Sequence, residues 1–525
     1  MQCIRSIVGF VGFTIISLLL ISKSESTPLD DYVHAADPNF GWTVIRTYEE
    51  PDYILYILNF TSQKWFDGKA FCSDFINKYI FLWPFWFLSI ETVTNQPIWW
   101  HYLCISVPHK FTRPNTAFMF IDGGHNSDGM PKPQDNLLSL TSMFAASSGS
   151  LGIHLQDIPN QPFRFLADPS NRSRSEDALI AWTWKAFLEN PSNPYILLRM
   201  PMTKASVRAM DAVEQFAAKL GAPVPKNFVI AGASKRGWTT WTTAAVDNQR
   251  VIAAVPIVMD ILNLQKNMHH HYRSLAGWTF AFNDYYDLNI TQDVDNPNLN
   301  KMGDIVDPYS YFDRYRNMKL LQIQTGGDEF FLPDNEDAFW ADLQAATGGS
   351  FIRRIPNAEH SCAGHEVSLF FTMRSFYLSI YENQPLPSFK WTKTSNNTHG
   401  YIRAVVDFSV GPKPFSVLGY HARTLNDKRR DFRLVIADPN HPGKAIANPV
   451  IWLKTDVVIE TQTATTVVYS LTIANPLNGW EAFFIQVAFP GPDGSALELT
   501  TNTQIIPDTY PTNDCYGAGC IGTLV

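Results

Sequence analysis

Three side chains in this sequence of 525 residues have the types and the order needed for nucleophilic chemistry: Ser234, Asp328 and His360. A serine hydroxyl attacks poorly until a neighbouring base takes its proton, and that base works best when a third group orients its ring. Ser234 lies in FVIAGASKRGW (228–238), which reads as an apolar strand, a Gly-Ala-Ser turn and a helix opening with Lys235 and Arg236. Strand, tight turn and helix together lift a serine above the edge of a sheet. The usual spacing puts a glycine two residues after the serine, whereas here Arg236 stands there and Gly237 follows one place later. A serine that merely caps the helix is the competing reading.

Asp328 follows the strand LLQIQ and two glycines, in TGGDEFFLPD, and His360 follows the strand FIRRI, in PNAEHS. Serine, acid, histidine is the chain order of α/β-hydrolases. The spacings, 328 − 234 = 94 and 360 − 328 = 32, leave room for a cap after the serine and one strand–helix unit between acid and base. Glu329 and Asp334 remain alternative acids, and His365 an alternative base.

Acyl transfer also needs N–H donors where negative charge develops on oxygen. The backbone of Lys235 would supply one. The other would come from FIDGGHN (120–126), where Gly123 and Gly124 let N–H groups turn inward and His125 stands at the rim. An ordinary turn explains the paired glycines equally well. The side chains of Lys235 and Arg236 either assist the oxyanion, contact an anionic substrate or stay solvated, and the elbow pattern resembles that of glucuronoyl esterases. Asp260, ending the strand AAVPIVMD, faces the same sheet edge and is a candidate substrate contact or a cap.

These residues require a sheet whose strands end together. Short apolar strands alternate with amphipathic helices over 27–387, which predicts βαβ units and an α/β-hydrolase-like, mostly parallel sheet with a helical cap from about 262 to 315. The helices include 175–190, with Ser175 as cap, and 204–221, ending at Gly221. Trp182, Trp184, Trp238 and Trp241 fall at helical spacing and read as core. Beyond ENQPLPSF the texture changes to period-2 runs such as IRAVVDFSV and TTVVYSLTI. Residues 388–525 therefore read as an all-β, immunoglobulin-like sandwich of roughly seven strands with a cysteine-containing tail. The aromatic run 71–90 fits neither pattern; a buried hairpin, a lid or an insertion would each explain it.

Residues 1–26 read as a secretory signal peptide, with Arg5, an apolar run over 7–21 and small residues at Ser24 and Ser26. A secreted, extracellular glycoprotein is the expectation, with sequons at Asn59, Asn171, Asn289 and Asn396 and no stable membrane insertion. Cys515 and Cys520 enclose a four-residue loop suited to a disulfide, while the pairing of Cys72, Cys104 and Cys362 stays open. The net charge, 41 − 49 = −8, and the lack of a long basic run argue against a nucleic-acid partner. The histidine run at 269–271 cannot turn all three rings to one ion from a helix, so no metal and no cofactor is expected.

Longer motifs add a resemblance. AGASKRGWTTW (231–241), HHHYRSLAGWTFAFNDYYD (269–287), GGDEFFLPD (326–334), PNAEHS (356–361), RRDFR (429–433), GWEAFF (479–484) and CYGAGCIGTLV (515–525) resemble the PhoPQ-activated pathogenicity-related protein family. Residues 66–89 look like an insertion against that family's pattern. The resemblance implies an α/β-hydrolase-like fold and leaves two functions open. One is a secreted serine hydrolase of esterase or peptidase type, acting on an unidentified ester or peptide. The other is an extracellular proliferation repressor or chemorepellent that acts through a cell-surface receptor without catalysis, because the family includes a secreted slime-mould signal that restrains proliferation.

Overall fold

The computed structural model describes residues 26–65, 93–441 and 444–525. The expected signal peptide (apart from Ser26), Cys3, Cys72 and the aromatic run 71–90 lie outside the described residues. Among the described residues nine strands form the main sheet: β1 (Gly41–Glu49), β2 (Tyr53–Lys64), β3 (Ile98–Pro108), β4 (Thr116–Ile121), β5 (Gly152–Leu155), β6 (Asn227–Ala233), β7 (Val251–Ile257), β8 (Lys319–Thr325) and β9 (Ser350–Ile355). Their order is β1-β2-β3-β5-β4-β6-β7-β8-β9. The first three strands meet their neighbours antiparallel, and β5, β4 and β6 to β9 run parallel. The sheet is therefore mostly parallel, with an α/β-hydrolase strand order in which β4 crosses over β5.

Strands buried on both faces read as unbroken apolar runs, and β4, TAFMFI, is buried at every position. The alternation of side chains still sorts its residues. Ala117, Met119, Phe228 and Ile230 join the core on the face of helices Asp177–Glu189, Arg199–Leu220 and Lys235–Val246. Phe118, Phe120, Val229 and Ala231 join the core on the opposite face, under helix Glu366–Tyr381. The second helix starts at Arg199, five residues before its expected start, and Glu176 rather than Ser175 precedes the first.

Between β7 and β8 the chain builds the cap from helices Leu264–Leu275, Asn283–Asp287 and Pro297–Val306 and a 3-10 turn at Pro308–Tyr315. Among the described residues no helix is long and apolar enough to cross a membrane.

From Ser388 onward every strand pairing is antiparallel. The strands are β10 (Ser388–Ser395), β11 (His399–Asp407), β12 (Ser416–Arg423), β13 (Val435–Ala437), β14 (Ala445–Ala447), β15 (Leu453–Thr455), β16 (Val458–Gln462), β17 (Thr466–Ala474), β18 (Glu481–Pro490), β19 (Ala496–Thr500) and β20 (Gln504–Ile506). One sheet has the order β10-β11-β17-β16 and the other β15-β12-β18-β19, with β20 also on β18. The expected seven strands become eleven among the described residues, because short strands of three residues, such as β13 and β14, carry no period-2 signal of their own.

This C-terminal unit shares its core with the main sheet, where Ile402, Phe483 and Val487 cluster with Val229 and Ile323. A second seam touches two loops at the end of the parallel strands. Trp452 Nε1 donates to Gly326 O at 3.1 Å, and Asn357 exchanges hydrogen bonds of 2.9 and 2.7 Å with the Trp452 backbone. A Cβ at Gly326 would stand 2.6 Å from Trp452 Nε1, and one at Gly327 would stand 2.3 Å from Leu434 Cγ, so both positions need glycine. The tail returns to the cap: Trp278 bonds Cys520 O through its ring and Thr523 O and Val525 N through its backbone. Cys515 and Cys520 form the expected disulfide, and Cys104 and Cys362 are free and buried.

Trp452 is 2% exposed, and its deletion empties the seam. Trp452→Ala is expected to lower unfolding free energy by about 3–5 kcal/mol. Urea denaturation checks it, and a loss below about 1 kcal/mol would mean the seam contributes little.

Candidate active site

Ser234 sits at the sharp turn between β6 and helix Lys235–Val246 with φ 56° and ψ −125°. A non-glycine residue there is strained, by about 1–3 kcal/mol, and surrounding contacts must hold it. Its own N–H donates to Ile257 O at 2.8 Å, tying the turn to β7. Gly232 and Gly237 make the close approach: a Cβ on Gly237 would lie 2.8 Å from Ile257 O, and one on Gly232 would lie 2.7 Å from Arg236 O. The glycine displaced by one place thus fills a steric need of its own. Arg236, where the usual glycine would stand, points its guanidinium outward over Gly123.

His360 arrives on the loop after β9, and its Nε2 lies 2.8 Å from Ser234 Oγ. Its Nδ1 lies 2.9 Å from both oxygens of Asp328. With the proton on Nδ1, the ring donates to the carboxylate and accepts from the serine hydroxyl. Asp328 is buried, and its Oδ1 also accepts from the N–H groups of Phe330 (2.8 Å) and Phe331 (3.1 Å). Burial pulls the His360 pKa down, but the charge and hydrogen bond of Asp328, with Glu329 nearby, outweigh it and leave it raised above 6.5.

The alternatives separate cleanly. Glu329 accepts from the His360 backbone N–H at 3.1 Å and does not meet its ring. Asp334 pairs with Arg430 (2.6 Å) and His270 (3.0 Å). His365 precedes helix Glu366–Tyr381 as its N-cap residue. Among the described residues, the Lys235 and Gly124 N–H groups meet no acceptor, which leaves both available to an oxyanion. His125 is different: its N–H donates to Asp128 at 2.8 Å, and its side chain is exposed. The turn it shares with Asp128 spends the backbone donor of His125 and leaves its ring at the exposed rim.

Arg236 and Asp260 also depart from expectation. Arg236 forms a bidentate pair with Glu176 (2.9 and 2.6 Å), and Lys235 Nζ lies 2.8 Å from Glu176 and 3.2 Å from Asp177. The guanidinium is already saturated by a carboxylate and is no free substrate contact. Asp260 is 1% exposed and accepts from Asn335 at 3.1 Å. Burial first, and then the charge of Glu336, raise its pKa, so it is internal structure and does not reach the cavity beside Ser234. That cavity is walled by aromatic and aliphatic side chains including Trp184, Trp238, Phe282 and Phe330. Trp184 and Trp238 belong to the buried core as expected and also line this cavity, while Trp241 is fully buried and Trp182 stacks on Phe165.

Several residues near the site carried no sequence signal. Glu176, at φ 52° and ψ −127°, repeats the Ser234 conformation and neutralises both cations of the elbow. Burial first raises its pKa, but Arg236 and Lys235 together drive it well below the usual carboxylate range. Its N–H donates to Gln161 Oε1 at 2.7 Å, and Gln161 in turn donates to Gly124 O at 3.1 Å. Asp157 lies beneath Gly124, where a Cβ would meet its Oδ1 at 2.3 Å. Its burial, followed by the charge of Asp128, pushes its pKa up to about 7. The three histidines go separate ways: His269 to Asp295 and Asp514, His270 to Asp334 and Tyr510, and His271 into an aromatic stack. Cys515, near His269 and Asp514, is spent in the disulfide, so that trio offers no thiolate ligand.

The four sequon asparagines, Asn59, Asn171, Asn289 and Asn396, are exposed.

The chain is 38% identical over 506 residues to autocrine proliferation repressor protein A of Dictyostelium discoideum, covering 95% of this chain and 94% of that protein. Among solved structures it is similar to acetyl xylan esterase 1 of Thermoanaerobacterium sp. JW/SL YS485 (12% identity, TM-score 0.42, covering 66% of this chain and 93% of that one). A likeness to the acetyl xylan esterase of Paenibacillus sp. R4 is similar in extent (11% identity, TM-score 0.42, covering 67% of this chain and 92% of that one). Residues 85–433 match the PhoPQ-activated pathogenicity-related proteins. With that match and the near full-length relative, the chain belongs to the PhoPQ-activated pathogenicity-related protein family.

Proposed function

We propose that the protein is a serine hydrolase that cleaves a carboxylic ester or a peptide bond by acyl transfer. One observation carries this reading: Ser234 Oγ, His360 and Asp328 form a continuous hydrogen-bonded line, with distances of 2.8 and 2.9 Å, at the end of the parallel strands. His360 takes the proton from Ser234 as Oγ attacks the carbonyl carbon. Asp328 holds the ring orientation and stabilises the imidazolium. The N–H groups of Lys235 and Gly124 would receive the oxyanion. Collapse of the tetrahedral intermediate expels the alcohol or amine, which takes the proton back from His360. Water then repeats the sequence and releases the acid.

A second reading rests on the relative that is 38% identical over nearly the whole chain and is named for repressing proliferation. It makes this protein an extracellular signal acting through a cell-surface receptor. The apolar N-terminal run, the disulfide and the exposed sequons support secretion. The order β10-β11-β17-β16 against β15-β12-β18-β19 supports an immunoglobulin-like C-terminal unit, a form suited to recognition. Applying folded Ser234→Ala protein to responsive cells separates the readings, since a purely receptor-driven signal would keep its potency.

A fluorophosphonate probe is expected to add once to the purified protein, as read by intact mass after deglycosylation. Ser234→Ala and His360→Ala should abolish the adduct, and ester turnover should fall by about 10³-fold or more. No adduct on folded wild-type protein would sink the hydrolase reading.

The pH profile offers an independent check. His360 must be neutral to act as base, and its raised pKa keeps it protonated to higher pH than a free imidazole. The acidic limb of kcat/KM should therefore lie above pH 6.5. Asp328→Asn should move that limb to lower pH and reduce kcat by about 10³–10⁴-fold. A limb that stays in place would exclude Asp328 as the partner of the base.

A further inference from the structure

The cations on the wall behind Ser234 are not all paired. Lys235, Arg236 and Arg199 bring three cations to the wall behind Ser234, while Glu176 and Asp177 bring two carboxylates. Glu176 is shared by Lys235 and Arg236, and Asp177 accepts from Lys235 and from the Tyr285 hydroxyl at 3.1 Å. Among the described residues Arg199 makes no ion pair, although the charges of Asp177 and Glu176 act on it from farther off. It is 2% exposed, with Nη1 donating to Lys235 O at 2.8 Å and its guanidinium 4.4 Å above the Trp238 ring. Its Nε is buried without an acceptor, and its Nη2 donates to no group among the described residues.

Such an arrangement is costly in isolation. A buried charge without a counter-charge destabilises a fold unless something supplies the missing partner. Burial draws the Arg199 pKa down to about 10, which still leaves it cationic at neutral pH. The Nε and Nη2 groups share one edge of the guanidinium, the edge whose two parallel N–H groups match a planar carboxylate. Arg199 lines the same cavity as Ser234, and the rest of that wall is largely apolar, with Trp184, Trp238, Phe282 and Phe330.

We propose that Arg199 is an anion-binding residue of the substrate pocket, and that the substrate joins an apolar body to a free carboxylate held at Arg199. The inference rests on the hydrolase reading for the word substrate, and on geometry alone for the anion site. The apolar walls take the body of the molecule, and the carboxylate supplies the partner that the Arg199 edge lacks. Hydrolysis needs no further reactant besides water.

Calorimetry on Ser234→Ala protein, which keeps the pocket and removes the attacking hydroxyl, tests the site directly. The probes are 6-phenylhexanoate and its neutral amide. The carboxylate is expected to bind at least 10-fold more tightly than the amide. Arg199→Gln should erase that preference, and Arg199→Lys should retain part of it. On wild-type protein, 6-phenylhexanoate should slow fluorophosphonate labelling of Ser234, whereas the amide should not at the same concentration. Equal binding of the two probes, or no binding of the carboxylate, overturns the anion site without need of any Arg199 variant. Arg199-dependent carboxylate binding with no fluorophosphonate adduct would uphold the site while refuting the hydrolase reading.

Discussion

The architecture turns on a backbone constraint at one residue. Ser234 occupies a positive-φ conformation that an L side chain adopts only under compulsion, and the compulsion comes from both sides of the turn. β6 fixes its approach, Ile257 O fixes its N–H, and Gly237 lets the following helix lie directly on the end of β7. Loosen any of these and Oγ swings away from His360. The replacement of the usual second glycine by Arg236 is tolerated because that side chain leaves the crowded turn at once and lies against Gly123, which has no side chain to obstruct it.

A second strained residue answers the first. Glu176 has nearly the same backbone angles as Ser234 and holds the two basic residues that follow the serine. Through Gln161 it also reaches the carbonyl of Gly124. The loop bearing Gly124 and the elbow bearing Lys235 are thus fastened to one carboxylate, so their N–H groups are set relative to each other by a shared anchor. Electrostatic stabilisation of a developing oxyanion depends on donors that are already in place before reaction.

Ser234, Asp328 and His360 were legible in the sequence because each ends a strand in a short local pattern, and chain order alone restricts how they can meet. The sheet was legible for the same reason. Glu176 and Arg199 were not, since their significance lies in partners 59 or 60 and 36 residues away that no local pattern encodes. Helical spacing placed Trp184 and Trp238 on inward faces, yet it says nothing about whether protein or open space lies opposite them. Asp260 looked like a site residue because it ends a strand at the correct edge. Neighbouring chain then covered it, with Asn335 and Glu336 folding over it.

The seam at Trp452 has a consequence for inheritance. One indole and its backbone hold both Gly326, two residues before Asp328, and Asn357, three residues before His360. The C-terminal unit is therefore part of the scaffold of Ser234, Asp328 and His360, although it contributes none of them. In a genetic screen, lesions at Trp452 or Leu434 would score with lesions of Ser234, Asp328 and His360, while leaving those three intact in the coding sequence. Alleles of that kind would map the boundary of the site far beyond the three residues at its centre.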